Sequence, residues 1–478
     1  MPHIFEVKRA NSVTKNEVKV SNSVTKNEVK VSNSVMKNEV KYFKRLIDSD
    51  LRDWSKDSKH KPLLLRGARQ VGKSSAVRNL GQKFPHFLEI NFERNAEARQ
   101  IFEEGNLSPQ YLCEKLTAAF DVPIEAGRTL LFLDEIQSCL PAISSLRFFC
   151  EDFPELHVVA AGSLLEFAIE EIPSFGVGRI RSLFMYPFSF TEFLQANGNT
   201  GLLNAIKKAN IENPLDDVLH NKALYLLKLF LLIGGMPETV ASYVTEKNLL
   251  KCQRVLDDLI VSLRNDFAKY KKRVPTLQIS AALDSIVRQM GNKFVYTDKE
   301  QFFSTFQIKH AAELLAMAGL VVPATHTSAN GLPLGSEINP KFRKMFLLDT
   351  GVFQRLLGLK LSDILLNDDF DTINKGGIAE MFVGMELLKA ASCYEQTQLF
   401  YWTREERNSR AEVDFVVQVG DKIIPIEVKS GKTGKMQSMW QFLKEKQSEY
   451  GIRTSLENFA TYDNIRVYPL YAIANILT

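Results

Sequence analysis

The segment Gly67-Ala68-Arg69-Gln70-Val71-Gly72-Lys73-Ser74 constrains this chain more than any other. It follows the apolar run KPLLLR and leads into SSAVRNL, so a strand runs into a glycine loop and the loop opens a helix over Lys73 to Leu80. The segment fits the pattern G-x-x-x-x-G-K-[ST], whose residue types have physical reasons. Glycines let successive backbone N–H groups turn inward around an anion, and the helix N-terminus adds positive potential at the same point. Such a loop needs a sheet beneath it. The runs PHFLEINFE, RTLLFLDE and LHVVAAGS read as further strands. They alternate with helical stretches such as Ser108 to Asp121, where Ser108 can cap the helix and Pro109 suits its first position. Near-continuous Val/Leu/Ile strands between helices imply an α/β fold with a parallel sheet buried on both faces.

The loop and its neighbours suggest a triphosphate site. Backbone N–H groups from Gly67 through Ser75 would line the phosphates, with Ala68, Arg69, Gln70 and Val71 forming the turn. Lys73 would reach the terminal phosphates and the Ser74 hydroxyl would help hold Mg²⁺. RTLLFLDE ends in two carboxylates. Asp134 is expected in the Mg²⁺ shell, and Glu135 is expected to polarise an attacking water. Ser163, after LHVVAAG, would lie near the γ-phosphate if its strand neighbours that of Asp134. Arg179 and Arg181 follow Gly176 and Gly178, and one of them is expected to stabilise developing charge, in cis or on a neighbouring subunit. The expected ligands are therefore ATP and Mg²⁺.

RGARQVGKS, LLFLDEIQ, AAGSLLEF, VGRI and YPFSFTEFL, in this order, resemble a prokaryotic group of AAA+ ATPases. The resemblance runs from about Tyr42 to the end of the chain. It implies a P-loop NTPase sheet, ATP hydrolysis and a homo-oligomer as a possible assembly. LLIGGMPETV also resembles the group. In related P-loop switches a glycine-proline element at this place touches the nucleotide base, so the resemblance implies that Gly235 and Pro237 face adenine. Read from the residues alone, Gly234-Gly235 is a helix stop followed by a proline turn.

A chain of 478 residues is expected to hold two to four domains. A repetitive extension spans 1–41, in which Asn11, Asn22 and Asn33 each begin a copy of an eleven-residue unit, and Met36 is a candidate start. The ATPase core is expected over 42–200. A helical and winged-helix region, with a hairpin around Gly331-Leu332-Pro333, is expected over 201–361, and an α/β domain over 362–478. The net charge of +4 permits nucleic-acid binding without arguing for it. The five cysteines show no metal-binding spacing and read as reduced thiols, which points to the cytoplasm. The most apolar stretch, Leu224 to Met236, is interrupted by Lys228 and is shorter than the ~20 residues a membrane span requires.

The C-terminal part supplies a second cluster. EVDFVVQV and KIIPIEVK flank Gly420-Asp421, a two-residue hairpin turn with glycine first. Pairing Val419 with Lys422 sets Asp414 opposite Glu427 and Glu412 opposite Lys429. Asp414 and Glu427 then form a non-hydrogen-bonded pair with Cα atoms ~4.5 Å apart. Opposed carboxylates repel unless a cation lies between them, and Mg²⁺ prefers carboxylate and water ligands. Asp414, Glu427 and Lys429 resemble the D…(D/E)-x-K core of restriction-endonuclease-like nucleases, although Val413 replaces the proline common before the first aspartate. That resemblance implies a restriction-endonuclease-like domain acting on DNA, with Glu380 joining the site from the preceding helix and Glu386 as a second candidate. The alternative is a catalytically inactive nuclease-like fold in a regulatory ATPase that binds a protein partner.

Overall fold

The computed structural model describes residues 41–172, 176, 178–270, 273–297, 302–361, 377–404, 411–429 and 436–477. The eleven-residue repeat lies outside the described residues. Tyr42–Thr478 forms one compact unit.

The four apolar runs become strands β1 (Leu63–Arg66), β2 (His86–Asn91), β3 (Thr129–Asp134) and β4 (His157–Ala161). Arg181–Phe184 adds β5, which the sequence reading did not assign. The order is β2-β3-β4-β1-β5, with every pair parallel. Successive residues of a strand point to opposite faces. Leu63, Leu65 and Phe132 enter one buried cluster, whereas Leu64, Leu131 and Leu133 enter another. Burial on both faces explains why these strands are apolar at every position. The helix after the loop runs Lys73–Gly81. The helix Pro109–Phe120 starts as the sequence implies, with the Ser108 hydroxyl accepting the Tyr111 N–H at 3.4 Å.

A second sheet contains β6 (Val321–Thr327), β7 (Ile338–Leu347), β8 (Leu399–Thr403), β9 (Glu412–Val419), β10 (Lys422–Val428), β11 (Gly451–Ser455), β12 (Ala460–Tyr462) and β13 (Ile465–Pro469). Its order is β12-β13-β11-β10-β9-β8-β6-β7. The hairpin expected as a separate wing forms as β6 and β7, but β6 also pairs in parallel with β8, so the hairpin is continuous with the C-terminal sheet. Register breaks at Thr325/His326 and at Phe400/Trp402 mark bulges, which bend a sheet locally. One hydrophobic cluster joins Leu63 of β1 with Phe230 of the helical region, Phe382 of helix Gly377–Ala390 and Phe415 of β9. The two sheets therefore share a core.

The connection between them rests on Asp349, just beyond β7. Its buried carboxylate accepts the Gly235 N–H at 2.6 Å and the Val352 N–H at 3.0 Å. The first bond holds the turn after helix Asp217–Ile233, and the second caps helix Thr350–Leu356. A Cβ added at Gly234 would collide with the same carboxylate, and Gly234 also has a φ of 75°. Asp349→Ala would leave two buried N–H groups without acceptors, a loss of roughly 2–4 kcal/mol. A denaturant midpoint unchanged from wild type would contradict this account.

Candidate functional site

The glycine loop sits at the C-terminal ends of the parallel strands. Gly67 and Gly72 have φ values of 143° and 98°, a region open to glycine. A Cβ at Gly67 would collide with the Met185 carbonyl after β5. Lys73 is turned in on the loop, its ammonium donating to the Gly67 and Ala68 carbonyls at 2.9 and 2.8 Å. Burial pushes its pKa down to about 8, opposed by the charges of Glu135 and Asp134. The Ser74 hydroxyl lies 3.0 Å from both Asp134 carboxylate oxygens. Asn91 of β2 donates to Asp134 at 3.3 Å, from the position that the strand register sets beside it. Burial raises the Asp134 carboxyl above its ordinary range.

This arrangement fits a nucleotide with Mg²⁺. The hydroxyl of Ser74 and the carboxylate of Asp134 already converge, and Mg²⁺ commonly takes its remaining ligands from phosphates and water. Glu135 begins a short 3₁₀ turn and has a left-handed φ of 49°, uncommon for a residue with a side chain. Its Oε2 accepts the Gln137 amide at 2.6 Å. Ser163 follows β4, which lies beside β3 as its expected placement requires.

Two elements reach the loop from elsewhere. Pro237 opens the helix Pro237–Glu246 and lies beside Gly72, where an added Cβ would come within 3.5 Å of the proline Cγ. Gly235 accepts the Phe188 N–H at 2.7 Å. Buried Arg45 donates to the Val71 carbonyl at 2.9 Å, to the Tyr186 carbonyl at 2.7 Å and to Glu192 at 2.9 Å. Arg69 points out of the loop and pairs with Asp266.

Arg179 is not brought to the loop. It pairs with Glu151 on the surface, just before β5. Arg181 opens β5 and lies opposite Leu63, the first residue of β1, while the loop follows the last residue of that strand. In a parallel sheet these are opposite edges, so an in-cis contribution from either arginine conflicts with the geometry.

The C-terminal hairpin adopts the expected register, with Pro425 opposite Val416 and Ile426 opposite Phe415. The ladder ends there, and the Asp414 carboxylate takes over by accepting the Val428 N–H at 2.8 Å. Glu380, Glu412 and Asp414 gather around a residue that sequence reasoning missed, while Glu427 and Lys429 pair with each other. Lys344 of β7 is fully buried, with its ammonium 2.7 Å from Glu380, 2.6 Å from Glu412 and 3.6 Å from Asp414. β7 and β9 are separated by two strands, a distance of ~14 Å in a flat sheet, so the cluster joins residues far apart in the strand order. A lysine between Phe342 and Phe346 on the inward parity of β7 was the available signal.

Three expectations for this cluster change. Glu412 pairs with Lys344 rather than Lys429, and Lys429 instead donates to Glu427 at 2.6 Å. Glu386 lies toward the other end of helix Gly377–Ala390 and accepts the Phe190 N–H at 3.0 Å, away from the cluster. Asp414 and Glu427 each already meet a lysine, Lys344 at 3.6 Å from Asp414 and Lys429 at 2.6 Å from Glu427. Among the described residues, no group of three or more His, Cys, Asp or Glu side chains is arranged to hold a metal ion. The cluster as it stands does not fit Mg²⁺.

Burial would lower the Lys344 pKa, but Glu380, Asp414 and Glu412 together hold it up and keep the ammonium charged. Burial and the Asp414 charge push Glu380 up to about 8, against Lys344, and Glu427 up to about 7, against Lys429.

Residues 59–194 match the model of an AAA domain. Residues 225–363 match the domain of unknown function DUF8612, and residues 375–473 match the domain of unknown function DUF4143. Among solved structures, the chain is similar to the Walker-type ATPase of Pyrococcus abyssi at 16% identity, over 66% of this chain and 96% of that one, with a TM-score of 0.42. It is also similar to C. elegans PCH-2 at 11% identity, over 56% and 65% of the two chains, with a TM-score of 0.20. A third is protein VC1899 from Vibrio cholerae, at 9% identity, over 87% and 96%, with a TM-score of 0.17. No curated protein matches. The AAA match and the parallel sheet identify a P-loop ATPase domain in this chain. No described helix is long and apolar enough to cross a membrane.

A carboxyl whose folded pKa is raised stabilises the fold below its unfolded value, and that contribution is lost as pH rises through the folded value. Glu380 should therefore weaken the fold between pH 4.5 and about 8. Glu380→Gln should flatten the decline in unfolding free energy over this window and gain stability relative to wild type at pH 8. Parallel pH profiles for the two proteins would remove Glu380 from the charge balance.

Proposed function

We propose that this protein is an ATP-hydrolysing switch whose C-terminal half, a nuclease-like fold without phosphodiesterase activity, engages a protein partner. Lys73, Ser74 and Asp134 bind the triphosphate with Mg²⁺, Glu135 orients the attacking water, and the backbone from Gly67 to Ser75 cradles the phosphates. Gly235 and Pro237 stand by the loop where the base is expected. Arg179, on the far edge of the sheet, acts only if a neighbouring copy presents it, which would make the working form a homo-oligomer.

The observation that carries the non-cleaving reading is the Lys344 ammonium. It sits among Glu380, Glu412 and Asp414 and already supplies positive charge to Glu380 and Asp414, two of the carboxylates that a hydrolytic cation would use. A buried lysine already paired with carboxylates supports a fixed, charge-balanced core, because removing it would leave uncompensated buried charge. A second reading, Mg²⁺-dependent cleavage of DNA by Asp414, Glu427 and Lys429 with Glu380, is favoured by one atom. Glu427 Oε2 is buried and has no hydrogen-bond partner, which leaves a donor for a cation.

A paired assay separates these readings. ATP turnover and Mg²⁺-dependent cutting of supercoiled and branched DNA are measured for wild type, Lys73→Ala and Asp414→Ala. The switch reading expects turnover in wild type, a loss of about 100-fold or more in Lys73→Ala, and no cutting by any form. Cutting that disappears in Asp414→Ala would establish the second reading. DNA binding that weakens steeply with salt would make the partner a nucleic acid instead of a protein.

A further inference from the structure

Gln137 joins the two strand ends that face the nucleotide loop. Its amide N–H donates to Glu135 Oε2 at 2.6 Å and does not engage Oε1, the other oxygen of that carboxylate. Its own Oε1 is buried without a hydrogen-bond partner. That same oxygen lies against Gly162, at the end of β4, so closely that a Cβ added at Gly162 would collide with it. Reversing the amide would turn the oxygen toward a carboxylate, which hydrogen-bond chemistry disfavours. Gln137 thus grips the carboxylate after β3 while resting on the glycine before Ser163. Glu135 needs an external restraint, because its backbone is held in the left-handed region and a carboxylate side chain has free rotamers.

We infer that Gln137 is a positioning residue for ATP hydrolysis: it fixes the direction of the Glu135 carboxylate, and Gly162 is glycine because Gln137 needs that space. The inference rests on the reading of Glu135 as the water-orienting group in an ATPase. One carboxylate oxygen bound to the Gln137 amide leaves the other for a water. Misplacing a catalytic group by about 1 Å can lower a rate as much as 100-fold without altering substrate binding.

The test measures kcat, KM and ATP affinity with the full chain. The variants are Gln137→Ala, Gln137→Met, Gly162→Ala, and Gly162→Ala combined with Gln137→Ala. Methionine matches the length of glutamine without its strong donor and acceptor. Both Gln137 variants are expected to lower kcat about tenfold or more while ATP affinity stays within about twofold. Gly162→Ala should lower kcat to a similar extent by displacing Gln137, and should add nothing once Gln137 is alanine, the signature of coupled sites. A general packing defect would not produce that non-additivity. Wild-type kcat in both Gln137 variants overturns the inference. Loss of ATP affinity in both Gln137 variants overturns it, as does a Gly162→Ala effect of equal size in both backgrounds. Absence of ATP turnover in the wild type overturns the ATPase reading itself, together with what rests on it.

Discussion

Asp349 is a carboxylate placed where water does not reach, held by backbone N–H groups from two elements. Such a group is tolerated only when its acceptor capacity is used. Much of the molecule follows from the bond to Gly235. It fixes the turn between two long helical segments, and the turn sets Pro237 beside Gly72 of the nucleotide loop. Asp349 itself follows β7, whose Lys344 compensates the acidic cluster. One strand and its continuation therefore bear on both candidate sites.

Helix Gly377–Ala390 provides a second connection. Near its start, Glu380 receives Lys344. Nearer its end, Glu386 accepts the Phe190 N–H, and Lys389 donates to the Phe188 carbonyl at 3.0 Å. Phe188 also donates to Gly235 and lies under the Arg45 guanidinium, which binds the loop carbonyl of Val71. The shared hydrophobic cluster surrounds these polar links. Moving one site relative to the other would break several buried hydrogen bonds at once, each expensive to leave unmade.

The parts of this structure that were legible in sequence are those governed by local chemistry. Glycine and lysine spacing specified the loop, continuous apolar runs specified β1 to β4, and Gly420-Asp421 specified the hairpin register. Ser74 and Asp134 could be paired because a familiar strand-to-loop order brings them together. What escaped depends on distant packing. β5 is only four residues long and polar at its start, so its pattern is weak. Arg179 sat beside glycines that suggested reach, but the direction of β5 puts it at the wrong edge. Glu380 and Glu386 lie on one helix, and only the packing of that helix against β7 and β10 decides which meets the cluster. Lys344 offered a parity signal alone, and nothing local marks Arg45 or Asp349.

The acidic cluster shows why motif chemistry and site chemistry can part. Asp414, Glu427 and Lys429 satisfy a spacing that suits a divalent cation, and the hairpin delivers them as that spacing requires. The spacing says nothing of β7. From β7, the Lys344 ammonium reaches Glu412 and Asp414 and offsets the repulsion of these carboxylates. Burial raises the Glu380 and Glu427 carboxyls well above their ordinary range, which makes the cluster sensitive to pH. At the glycine loop, Ser74 and Asp134 converge with no lysine between them, and Lys73 is bound to carbonyls that a phosphate can replace. The two clusters both combine lysine with carboxylates. They differ in whether the lysine has a partner it can exchange for a ligand, and that difference supports assigning the chemistry to the first and a structural role to the second.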